Sequence, residues 1–151
     1  MTRDEANANV RAAFEGVARP ESFRRGTCGC EECEEHNETM KAHTPGTISL
    51  KEVGNAAWDP MCMASDAAFA YFLPGLVRLA CETPWYSDQL LFHLNSPGRV
   101  EYLNPHQAAA LKEALWLLIE TAPGEVDLQL ADEAIRRLER LVNGLPPSEH
   151  A

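Results

Sequence analysis

The sequence has little that would build a sheet. No run alternates apolar and polar side chains long enough for a convincing strand, and the nearest, "GRVEYLN" at 98–104, is short. Basic charge is scarce too: lysine and arginine total 13 against 23 acidic residues, a formal net charge of −10. Such a surface repels polyphosphates and anionic lipid faces, so neither nucleic acid nor a membrane is expected as a partner. The N-terminal "MTRDEANANV" has no apolar segment of the kind a secretory signal needs, and a cytoplasmic location is expected. The most apolar stretch, Met61 to Cys81, is broken by Ser65, Asp66, Pro74 and Arg78 and reads as core, not as a membrane span. Low-complexity tracts and internal repeats are absent.

Motifs of familiar chemistry are missing as well. The chain has no P-loop, no Gly-x-Gly-x-x-Gly, no Gly-x-Ser-x-Gly and no His-Glu-x-x-His. Nucleotide-dependent and common hydrolytic mechanisms thereby lose their usual signatures, and no catalytic residue is assigned. The five cysteines are odd in number, which argues against a disulfide framework and for reduced thiols.

What is present is helical periodicity. Val10, Phe14 and Val17 space a first helix that Pro20 ends, and Cys30, Cys33, Asn37 and Met40 stripe a second. Ser65 is placed to cap "DAAFAYFLPGLVRLACE", in which Pro74 predicts a kink or a split into two helices. Ser87 is placed to cap "DQLLFHL". Asn104, Pro105 and Gln107 spell the start of a buried helix, and Leu128, Ala131, Ile135, Leu138 and Val142 line one face of the last, which Gly144 ends. The expected fold is all-α: an irregular bundle of roughly six helices with one long ordered loop over 43–64, anchored by Trp58. Residues 1–145 are expected to form a single domain and 146–151 a flexible tail.

The densest chemistry lies in "TCGCEECEEHNETM", Thr27 to Met40, where Cys28, Cys30, Cys33 and His36 are all good zinc ligands. Helical geometry limits them. At about 100° per residue, Cys30 and His36 stand about 120° apart, so a regular helix cannot wrap the whole set around one ion. A claw of Cys28, Cys30 and Cys33 across the turn and the helix start is easier, with His36, His43 or Cys62 as a fourth ligand. The nearby glutamates are expected to attract cations yet hold the thiol pKa values up. A redox dithiol at Cys30-Glu31-Glu32-Cys33 lacks the βαβ context that such sites use. The simplest alternative is that Cys33 and Met40 are core and the glutamates a solvated face. His93 and His106, within or at the start of helices, read as structural.

The ordered set "CEECEEHNETM", "TISLKEVGNAAWDPMCM" and "FAYFLPGLVRLA" resembles a family of small uncharacterised bacterial proteins with a Cys-x-x-Cys-x-x-His segment, a Trp-Asp-Pro loop and a Tyr-Phe-x-Pro helix. The matching positions are Cys30, Cys33, His36, Trp58, Asp59, Pro60, Tyr71 and Pro74. The resemblance implies a shared fold and no particular reaction, and it suggests a pocket of Cys30, Cys33 and His36 completed by Asp59. The function expected from the sequence is a non-enzymatic, acidic, protein-binding module of regulatory or antitoxin-like kind. The rival expectation is a zinc or thiol-redox protein built on Cys30, Cys33 and His36.

Overall fold

A computed structural model describes residues 1–146. Of the tail expected over 146–151, all but Pro146 lies outside the described residues, and the Pro146 carbonyl accepts a hydrogen bond from Arg140 Nε at 2.9 Å. The described chain is all-α, with helices α1 (Arg3–Ala13), α2 (Glu31–Lys41), α3 (Leu50–Val53), α4 (Asp66–Glu82), α5 (Ser87–Leu94), α6 (Pro105–Thr121) and α7 (Leu128–Val142). Single 3-10 turns at Ala56–Trp58, Pro60–Cys62 and Pro84–Tyr86 complete it. The described residues contain no strand, only an isolated antiparallel bridge between Arg24 and Ala64.

Local signals explain most of the boundaries. Thr2, Ser49 and Asn104 each close a capping box with the acid or amide three residues on, Glu5, Glu52 and Gln107, satisfying backbone donors at both ends of the first turn. Ser65 caps α4 by accepting from Ala68 N at 3.1 Å. Ser87, by contrast, is the first residue of α5 and caps nothing, because the turn at Pro84–Tyr86 runs directly into that helix.

Helix α4 is the centre of the core: Phe69, Phe72, Leu73, Leu76 and Ala80 are fully buried. It is one helix, not two, with Pro74 inside it. The missing donor at Pro74 is the cost of a position whose neighbour is fixed by packing. At Gly75, a Cβ would stand 2.4 Å from the Pro45 carbonyl oxygen and 2.8 Å from Ile48 Cγ2, so the 43–64 connection lies directly on the helix backbone. Helix α6 packs between α1 and α7, α1 also packs on α4, and α5 bridges α4 and α7. Helices α2 and α3 both pack against the turn at Pro60–Cys62, which brings two cysteine-bearing segments to one side of the molecule. No helix among the described residues is long and apolar enough to cross a membrane.

The long connection is ordered, but not in the manner expected. Ile48, Val53 and Met61 anchor it in the core, whereas Trp58 is 44% exposed and uses only one face. Helix α3 and two 3-10 turns lie within the connection, at Leu50–Val53, Ala56–Trp58 and Pro60–Cys62.

Candidate functional site

The cysteine segment is held from both sides. Phe23 and Arg25 pair with the end of the long connection, through Arg25 N to Met63 O at 2.7 Å and Ser65 N to Phe23 O at 2.8 Å. The chain then turns at Gly26, whose φ of +68° lies in the left-handed region that glycine tolerates. Arg24 donates to the Cys28 carbonyl at 2.9 Å and pairs with Glu34 in the first turn of α2, tying turn to helix. Cys30 caps α2, its Sγ accepting from Cys33 N at 3.4 Å. One consequence is geometric: the thiols of Cys28, Cys30 and Cys33 all lie within 4.8 Å of one another. Cys28 and Cys30 are exposed and Cys33 is buried, and no cysteine of the five is in a disulfide.

Hydrogen bonding, not the surrounding glutamates, sets the first deprotonation. The Cys28 thiol is held below its ordinary value chiefly by the Cys30 backbone N–H, then by the Cys33 and Cys30 side chains, with Arg24 adding a smaller favourable charge. The partners compensate in the opposite direction: hydrogen bonding to Cys28 and Cys30 pushes Cys33 up to about 12. The cluster thus loses one proton readily and resists losing the rest, as coupled sites do.

Among the described residues, neither His36 nor His43 joins the three thiols. His36 is buried further along α2, its ring 4.6 Å from that of Trp58 and its Nε2 3.6 Å from Glu32. Its Nδ1 has no hydrogen-bond partner among the described residues. His43 donates through Nδ1 to the Thr39 carbonyl at 2.8 Å and lies 3.3 Å from Glu52.

Asp59 and Cys62 fall in a second cluster, completed by His93. Asp59 caps the turn at Pro60–Cys62 through Oδ1, which accepts from Met61 N at 2.9 Å. Its Oδ2 accepts from His93 Nε2 at 2.6 Å and from Gln89 Nε2 at 2.8 Å, and Gln89 also donates to the Val53 carbonyl. Both Asp59 and His93 are buried, while Cys62 is exposed. The turn is held from beneath by Arg99, whose buried guanidinium donates to the carbonyls of Met61 and Ala64 at 3.0 and 2.9 Å and lies over the Phe69 ring. Above the cluster opens a cavity of about 430 Å³, with Trp85 and Phe92 at its exposed edge. Burial, and then the Asp59 charge, raise the Cys62 thiol.

No family model, curated protein or solved structure matches the chain.

Two separate groups of donors therefore exist, three thiols in one and a thiol, an imidazole and a carboxylate in the other, each able on proximity to hold a metal ion. His93, read from the sequence as structural, is indeed buried and bonded to Asp59; what the sequence did not report is that it lies beside Cys62. Its signal was faint: Gln89 and His93, one helical turn apart, are polar on a helix whose Leu90, Leu91 and Leu94 are buried, and a buried polar face needs a partner from elsewhere.

Proposed function

We propose that this protein binds zinc through the Cys28, Cys30 and Cys33 thiolates. The observation that carries the reading is the convergence of three sulfurs within 4.8 Å. Tetrahedral zinc with Zn–S bonds of about 2.3 Å sets its sulfurs roughly 3.8 Å apart, so the claw needs only to tighten. The loop before α2 is already fixed by Arg24, which lessens the ordering that binding would require. A thiol whose pKa is lowered gives the ion its first anionic ligand, and the bound cation would displace the remaining protons.

With two of the three thiols exposed, the fourth position faces solvent, which suits an exchangeable or sensing ion better than a closed structural one. This reading stands ahead of a protein-binding module because converging thiols are specific, whereas an acidic surface serves many soluble proteins for solubility alone. It also stands ahead of a redox dithiol, for the described residues are all helical and lack the βαβ context that such sites use. Alkylation mapping tests it: zinc added to the reduced, metal-free protein should protect Cys28, Cys30 and Cys33 together from iodoacetamide. Unchanged labelling of all three at excess zinc would refute the reading.

A further inference from the structure

We propose that Asp59, Cys62 and His93 form a second zinc site, whose open position faces the cavity bounded by Trp85 and Phe92 and takes a small apolar ligand through one Lewis-basic donor. This does not rest on the thiol claw, which shares none of these residues.

One donor atom from each of the three side chains lies within 4.8 Å of the other two. That arrangement separates a metal site from a nucleophilic relay. In a relay the thiol and the carboxylate bond opposite nitrogens of the imidazole, so the ring stands between them. Here carboxylate, imidazole and thiol converge on a common point. A divalent cation there would take Cys62 as a thiolate ligand.

The surroundings fit an ion with its own support. Gln89 and the Met61 N–H already orient the Asp59 carboxylate, and Arg99 fixes the backbone that presents Cys62. Such outer contacts are what hold ligands in place around a metal. The set of one sulfur, one nitrogen and one oxygen leaves the fourth position of a tetrahedron free, the pattern of reactive zinc sites. The nearby residue Tyr86, in the turn before α5, has a buried hydroxyl with no hydrogen-bond partner among the described residues. The cavity of about 430 Å³ has room for a single aromatic ring, and Ala56, Trp85 and Phe92 would pack against one.

The test uses the full chain with the claw disabled by Cys28→Ser and Cys30→Ser, both exposed positions. Cobalt(II), as a coloured substitute for zinc, should bind this protein with one equivalent. Adding Cys62→Ser should weaken it by about 100-fold or more, with circular dichroism showing the helices intact. His93→Gln should do the same. Benzohydroxamate, an aromatic ring bearing a metal-binding group, should shift the cobalt absorption. No cobalt bound by the claw-free protein, or binding that survives Cys62→Ser, overturns the site. Binding that depends on Cys62 with a spectrum benzohydroxamate leaves unchanged overturns the open position.

Discussion

The sulfur of Cys30 accepts the backbone N–H of Cys33 at 3.4 Å, so the atom that would bind a metal is also the cap of α2. The two roles compete, and a substitution can separate them. Serine is among the best N-cap residues, and sulfur is a weak acceptor. Cys30→Ser should raise the stability of the metal-free protein by about 0.5 to 1 kcal/mol in urea titration while removing zinc binding at the claw. A variant that loses stability without metal would contradict this assignment of the cap.

Thiol reactivity should follow the hydrogen bonds around Cys28. Because its pKa is lowered, its thiolate fraction persists to lower pH than that of an ordinary cysteine. In the metal-free protein, Cys28 should be the first residue alkylated by iodoacetamide, with a rate midpoint below the usual thiol value. Cys33 and Cys81, both buried and raised to about 12 and about 11, should react last. Mass-spectrometric peptide mapping across a pH series reads both.

Asp59 joins three elements: the turn it caps, Gln89 and His93 on α5, and through Gln89 the end of α3. Truncation to alanine removes the cap and leaves buried donors unpaired. Asp59→Ala should therefore cost about 3 kcal/mol or more in the metal-free state, measured by denaturant unfolding. A loss near that of an ordinary surface substitution would mean that the connection is held by Ile48, Val53 and Met61 without it.

At Gly75 the obstacle to a side chain is backbone, since a Cβ would meet the Pro45 carbonyl at 2.4 Å. Backbone cannot swing aside as a flexible side chain does. Gly75→Ala should destabilise by about 2 to 3 kcal/mol, despite alanine's better helix propensity, and a rise in Tm would contradict the close approach.

These relationships differ in how far they could be read from the sequence. The start of α6 was legible because Asn104 and Gln107 are three residues apart and act on the same turn. On α7 the spacing reported Ala131, Ile135 and Leu138 correctly as buried, but Leu128, at the first position of the helix, is exposed. At Pro74 the split into two helices does not occur: α4 runs on through it, and the next residue, Gly75, packs against Pro45 and Ile48. Helix geometry correctly separated Cys28 from a helix beginning at Cys30, yet it could not say that the preceding turn folds the Cys28 thiol back onto the others. Asp59 and Cys62 had been grouped with the claw; their partner His93 lies on α5, and no local spacing reports a contact over 34 residues. Counting glutamates also misjudged Cys28, since one well-placed N–H outweighs exposed charges screened by water.

The zinc content of the full chain purified under reducing conditions, compared with its Cys28→Ser/Cys30→Ser and Cys62→Ser variants, bears most directly on the claw. The Cys62→Ser protein should retain one equivalent, and adding Cys28→Ser and Cys30→Ser to it should remove that ion. Zinc absent from the Cys62→Ser protein, or undiminished when the two claw cysteines are replaced, would contradict a zinc ion held by Cys28, Cys30 and Cys33.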